Sequence, residues 1–478
     1  MKSKLWIFVT ILIVASMVLT ACNSAQPTAV VEEQATAVPA AQGVTKITIF
    51  VGFGTGTSPE QMAVHQQIQD LYNSTHTDIQ IEFLTVPYEE RITKYATMLA
   101  ADQVPDMMLP IGVGGIASFY KGWLDLSPYI SADNYDMTRF VGVTGEMHNY
   151  PGQGMLGLPL CVYPQAMYYN EDIFDAAGVD YPPAKYGEKY ADGSTWDFTK
   201  VREIAKKMSL DASGNDANSN AFDPKSITQV GWLNWDWYTP IDFTRQFGDL
   251  PGGGVSADGT KSVLAEKQYI DALTYYKTAI WDDHVSNDSE QAGAIQGSAG
   301  DPFGGGKAAM WENHTWMSYA YAGWDQAFKW NVGAVPQGTN GKVTVIVDAD
   351  TAVIPAQAKN PDQSWEVMKW LFETEQYKVL IGNYGCLPAD KELVKTWVSD
   401  MTAQYPGVNF QIFVDGLDYL ETSPNHEAWK PEYNKINDIM TNAVGQIQAG
   451  TNTDVQAVMQ DANTQVQKLL DDYWAANP

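Results

Sequence analysis

From Lys46 onward the chain alternates between two hydrophobic periods, and that alternation narrows the folds open to it. Ile47, Ile49 and Val51 repeat every second residue, the spacing of a strand with one buried face. A loop, Gly52-Phe53-Gly54-Thr55-Gly56-Thr57, follows, and Ser58-Pro59-Glu60-Gln61 opens a helix. Ser58 can cap it, Pro59 suits its first position, and Gln61 completes a capping box. Met62, Ile68, Leu71 and Tyr72 keep helical spacing, and Ile79, Ile81 and Phe83 return to strand spacing. A helix over Tyr88 to Ala101, a strand over Asp106 to Leu109 and a helix-like stretch over Ser118 to Leu126 come next. Such alternation predicts an α/β architecture with a largely parallel sheet. Later patterns predict helices over Asp197–Leu210, Lys267–Trp281 and Ser364–Glu375, a strand over Val343–Val347, and a closing helix bearing Val455, Met459, Ala462, Val466 and Leu470. No internal repeat is apparent.

The N-terminus directs export. Lys2 and Lys4 precede an uncharged apolar run from Leu5 to Leu19, and Leu19-Thr20-Ala21-Cys22 fits a bacterial lipobox, so cleavage leaves Cys22 lipidated. The run falls short of the ~20 residues that span a bilayer. Residues 23 to 43, rich in Ala, Thr, Val, Gln and Pro, read as a disordered tether with a reach on the order of 25 Å. The net charge of -28 argues against nucleic acid and anionic lipid as partners, since both call for basic patches. Abundant Trp (16) and Tyr (25) suit a core, and equally suit stacking on sugar faces.

The stretch from Gly157 to Gly178, GLPLCVYPQAMYYNEDIFDAAG, joins an apolar run to a short helix. Asn170 opens the helix and Gly178 ends it in the left-handed conformation. Pro159 and Pro164 bar regular ladder pairing on one side, which predicts an edge or connecting strand. Leu158-Pro159-Leu160, Tyr168 to Phe174, Ala177-Gly178 and Pro182-Pro183 resemble the signature of extracellular sugar-binding proteins of ABC transporters, the maltose-binding-protein-like class. "TDIQIEF", "LAADQVPDMM", "GWLDLSPYI", "PFGGGKAAMWENHTW", "WNVGAVPQG" and "GNYGCLPA" extend the likeness over nearly all of residues 44 to 478.

The resemblance implies a two-lobed periplasmic-binding fold with hinge crossovers, lobe one spanning 44–158 plus 334–385 and lobe two 164–330 plus 388–478. It implies a monomeric receptor whose partners are a carbohydrate and the permease subunits of an importer. It also implies ligand-facing positions. These are Phe53 to Thr55, Pro110 to Gly112, Tyr163 in the first crossover, Trp235 and Trp237, then Trp311, Glu312, Trp316 and Trp429. In the maltose-binding relative the position matching Tyr163 carries a carboxylate, which argues against maltose itself. Strand alternation would put Trp235 and Trp237 on one face. Asp106, Glu312, Asp348 and Asp350 stand at predicted strand ends, where open α/β sheets bind ligands. Hydroxyl groups need such carboxylates, and sugar ring faces need aromatic planes.

Catalytic patterns are mostly missing. The six histidines form no HExxH, no GxSxG occurs, and Gly304-Gly305-Gly306-Lys307 fails the phosphate-loop pattern at Asp301 and Ala308. The rival reading is a secreted glycan-cleaving enzyme with paired carboxylates. No cofactor is expected; Asp211, Ser213, Asn215, Asp216 and Asn218 are spaced like calcium ligands but lack the closing Glu, Phe222 standing there, so a polar turn is the readier reading. The resemblance would bring Cys161 and Cys386 near one another in the first and third crossovers, although two separate buried thiols are the commoner state.

Overall fold

The computed structural model describes residues 43–477 apart from 120, 143, 235–241, 251–252, 289–290, 292–294, 296–301, 383 and 421–429. The N-terminal unit, Met1–Val44, lies almost wholly outside the described residues, Cys22 with it. In the unit Thr45–Pro478 the described strands are β1 (Thr45–Val51), β2 (Ile79–Thr85), β3 (Met107–Ile111), β4 (Asn149–Tyr150), β5 (Gly154–Met155), β6 (Gly157–Asn170), β7 (Leu210–Asp211), β8 (Ile227–Gln229), β9 (Leu233–Asn234), β10 (Met310–His314), β11 (Trp330–Gly333), β12 (Val347–Val353) and β13 (Leu387–Pro388). Among the described residues nine of them make one sheet, in the order β2-β1-β3-β12-β6-β10-β9, with β11 and β13 also pairing with β6. The others pair as β4 with β5 and β7 with β8.

The expected parallel pairing is found at β1–β2, β1–β3 and β9–β10. Strands contributed later in the chain join antiparallel, β12 to β3 and β6, and β10, β11 and β13 to β6. The helix Pro59–Thr75 between β1 and β2 begins as its sequence requires: the Gln61 N–H donates to Ser58 Oγ at 3.3 Å, and the Ser58 N–H donates to Gln61 Oε1 at 3.2 Å.

All of β6 is buried, and it is the connection between the two halves of the sheet. Its first part, Gly157 to Pro164, pairs with β12; its second, Gln165 to Asn170, pairs with β10 and β11. The prolines sit where the ladder tolerates a missing N–H. Pro159 lies at a register shift against Asp350 and Thr351, which leaves Leu160 as an extra residue on β6. The Leu160 carbonyl accepts from the Tyr377 hydroxyl instead. Pro164 marks the change of partner. β6 is therefore a connecting strand, and it lies mid-sheet rather than at an edge. Asn170 then caps the helix Glu171–Ala177 by accepting from the Ile173 N–H at 3.2 Å, and Gly178 ends it at φ 63°.

Two predicted elements fall elsewhere. The helix expected over Ser118 to Leu126 is a helix over Val113–Ser118, and Lys121 with φ 59° breaks any continuation. Trp123 is instead extended and bridges to Pro355, while the Leu124 N–H donates to the Ile354 carbonyl. The strand expected over Val343 to Val347 begins at Val347 and runs to Val353.

Cys161 of β6 and Cys386, just before β13, form a disulfide with Cα atoms 5.6 Å apart. This corrects the expectation of two separate thiols. The β6–β13 pairing, with Pro388 opposite Cys161, holds the two backbones at bridging distance.

Candidate functional site

The segments following β1, β2 and β3 converge at the carboxyl ends of those parallel strands, where an open α/β sheet leaves a crevice. A cavity of about 220 Å³ lies there. It is lined by Phe53, Gly54 and Thr55 after β1, Tyr88 and Arg91 after β2, and Gly112 to Gly115 after β3. Tyr163 of β6, Asp348 and Asp350 of β12, and Trp316 after β10 complete it. The cavity thus draws on both parts of the sheet that β6 connects.

Its floor is built by strand alternation. Asp348 and Asp350 stand two apart on β12 and so share a face. They are 6% and 7% exposed. Tyr163 is the register partner of Asp348, and its hydroxyl donates to Asp350 Oδ2 at 3.0 Å. Gly54 and Gly112 allow the loop backbones to press on this carboxylate. A Cβ at Gly54 would lie 2.8 Å from Asp350 Oδ2, and one at Gly112 would lie 2.9 Å from Oδ1, closer than a side chain tolerates. Burial, then the charge of Asp348, pushes the Asp350 carboxyl up to about 7 against the opposing hydrogen bond from Tyr163.

The walls supply rings and one orphan polar atom. Trp316 is half-buried, 5.9 Å from the Tyr163 ring and stacked on His314 at 4.0 Å. Phe53 backs the cavity from a cluster with Phe50, Tyr95 and Phe119. Thr55 Oγ1 is buried and has no hydrogen-bond partner among the described residues. At the mouth the Arg91 guanidinium lies over the Tyr88 ring at 3.4 Å. The arrangement offers acceptors at the floor, aromatic faces at the side and, among the described residues, the Arg91 cation at the rim.

Several expected positions lie outside it. Trp311 is fully buried against Phe303 and Trp324, a core residue of the second part of the molecule. Glu312, next on β10, lines no part of the cavity; it is 2% exposed and accepts from Gln246 at 2.9 Å and Trp232 at 3.3 Å. Its burial raises it to about 7. Both faces of this central strand are covered, so consecutive residues are both buried. Pro110 supports the wall behind Gly54 without lining the cavity. Asp106 stands before β3, at its amino end, where its carboxylate accepts from the Thr48 N–H and from Asn360. Trp235, Trp237 and Trp429 lie outside the described residues. Tyr88, Arg91 and Val113 to Gly115 were not singled out from the sequence; their place just beyond β2 and β3 is the signal that points to them.

A larger cavity of about 1130 Å³ lies among Asn170, Lys207, Gly304 to Gly306 and the loop residues Gly214, Asp216 and Asn218. It gathers no buried acid or base comparable to Asp350. In that loop Asp211 accepts from the N–H groups of Ser213, Asn215 and Asp223 and from the Asn215 side chain, which holds its carboxyl at about 2. Both its oxygens are engaged by hydrogen bonds within the loop.

Residues 55–378 match the bacterial extracellular solute-binding proteins. The chain belongs to that family. This solute-binding protein is 23% identical over 409 residues to a binding protein of Brucella abortus strain 2308, covering 85% of this chain and 89% of that one. It is 24% identical over 294 residues to the maltooligosaccharide ABC transporter solute-binding lipoprotein of Streptococcus pneumoniae R6, covering 60% of each. Its fold is similar to that of an ABC substrate-binding protein of Listeria monocytogenes solved in complex with cycloalternan, with a TM-score of 0.67 at 20% identity over 90% of this chain and 99% of that one. The solute-binding protein therefore has the two-lobed α/β fold of such receptors. Among its described residues no helix is long and apolar enough to cross a membrane.

Proposed function

We propose that the protein is the receptor of a carbohydrate ABC importer, holding a saccharide in the cavity floored by Asp348 and Asp350. The observation that carries this reading is the cavity itself: the Asp348 and Asp350 carboxylates and the Trp316 and Tyr163 rings line one space beside a strand shared by both halves of the sheet. Sugar recognition uses that combination of hydroxyl acceptors and ring planes. The maltooligosaccharide and cycloalternan named for two relatives point to the same ligand class. An enzymatic alternative calls for two carboxylates facing one another across a bond, whereas Asp348 and Asp350 stand side by side on one strand.

Under this reading the lobes are residues 44–158 plus 334–385 and 164–330 plus 388–478, and they close on the ligand about β6 and β13. The chain is exported and anchored by lipid at Cys22, and the permease subunits of the importer receive its cargo. A thermal-shift screen against mono- and oligosaccharides tests the ligand class, because a ligand that binds only the folded state raises its melting temperature. Silence across the screen would count against it.

A further inference from the structure

Asp350 has one oxygen committed and one open. Oδ2 accepts from Tyr163, while Oδ1 faces Gly112 and accepts no hydrogen bond from a described residue. Among the described residues, little positive charge surrounds this carboxylate. Asp348 comes from its own strand, and Tyr163 faces it from β6. Tyr384, from the segment before β13, feels the charge of Asp350 and is itself hydrogen-bonded to His65 of the helix Pro59–Thr75 at 2.7 Å. Burial pushes both tyrosines up and pushes His65 down to about 4, so all three are neutral near pH 7. The loops of Gly54 and Gly112 bring no charge. Arg91, at the mouth over Tyr88, forms no ion pair with Asp350.

We infer that Asp350 is the selector of this site, and that a ligand donating hydroxyl groups to its open oxygen expels a proton from the Asp348–Asp350 pair to solvent. This rests on the cavity being the saccharide site. The empty pair keeps a proton because two adjacent carboxylates in a buried site resist double ionisation. Sugar hydroxyls hydrogen-bonded to Oδ1 favour the ionised form, so binding and proton loss are linked. Affinity therefore falls as pH falls through the range where the pair titrates, by up to about tenfold per unit. Uronates and sugar phosphates are rejected, because they bring a third negative charge to the same floor.

The test is calorimetric titration of the full mature protein with maltotriose at pH 5.5, 6.5 and 7.5, in two buffers of different ionisation heat. The expected result is roughly tenfold or more weakening from pH 7.5 to 5.5, release of a fraction approaching one proton near the middle of the range, and loss of both in Asp350→Asn. Equal affinity at all three values with no proton exchange overturns the inference. Should maltotriose not bind, that bears on the proposed function, and carboxyl NMR of the free protein against Asp350→Asn decides the inference separately. Titration of Asp350 near neutrality supports it, and titration in the ordinary range near 4 overturns it.

Discussion

Two buried carboxylates and three tryptophans separate the roles of single residues. Burial disfavours the charged forms of Asp350 and Glu312 and pushes both carboxyls up to about 7, well above the ordinary carboxylate range. Between about pH 4 and 7 these two carboxyls hold more protons folded than unfolded, so their contribution to stability falls as pH rises through that range, while His65 and His148, pushed down by burial, contribute in the opposite sense up to about pH 6.5. Asp350→Asn should accordingly raise stability at pH 8 by roughly 1–4 kcal/mol over wild type, with the gain vanishing towards pH 4, as read by urea denaturation at the two values. The tryptophans divide by exposure. Trp316 is half-buried at the cavity, whereas Trp232 and Trp311 are fully buried. Trp311→Ala should cost about 3–5 kcal/mol of stability. Trp316→Ala should leave melting nearly unchanged and weaken saccharide binding by about 1–3 kcal/mol. Melting and binding curves of the two variants check this, and the reverse pattern would put the site elsewhere.

At the scale of elements, β6 shows what sequence reasoning could and could not reach. The helix after it was legible because its signals are local: Asn170 caps it and Gly178 ends it. The capping box at Ser58 and Gln61 was legible for the same reason. The central place of β6 was not, since whether a proline can sit mid-sheet depends on a bulge and a change of partner supplied by other strands. The same holds at the site. The loops after β1 and β3 could be named from their position, but the bond between Tyr163 and Asp350 follows from a register between strands 187 residues apart. Trp311 misled because a central strand covers both faces, so residue type alone does not tell a core ring from a ligand-facing one. The disulfide is likewise a consequence of pairing between β6 and β13, across 225 residues. A thiol probe on the denatured, unreduced mature protein should find Cys161 and Cys386 unreactive. Cys386→Ser should lower stability by about 2–5 kcal/mol in thermal or denaturant unfolding; labelling of both cysteines would contradict the bond.

For the molecule as a whole, export, anchoring and closure each have a physical signature. Cys22→Ser should move the protein from the membrane fraction to the medium or periplasm, and unchanged retention of the processed variant would contradict a lipid anchor. Closure of the lobes about β6 should reduce the radius of gyration in scattering at saturating ligand, whereas an identical curve would contradict a hinged receptor. Whether the cavity of Asp350, Tyr163 and Trp316 holds the sugar is decided by titrating a saccharide that shifts the melting temperature into wild type, Trp316→Ala and Asp350→Asn at pH 7.5. Saturable binding to wild type is expected, with affinity about ten- to a hundredfold weaker in both variants and melting of free Trp316→Ala within a few degrees of wild type. Wild-type affinity in both folded variants would contradict it.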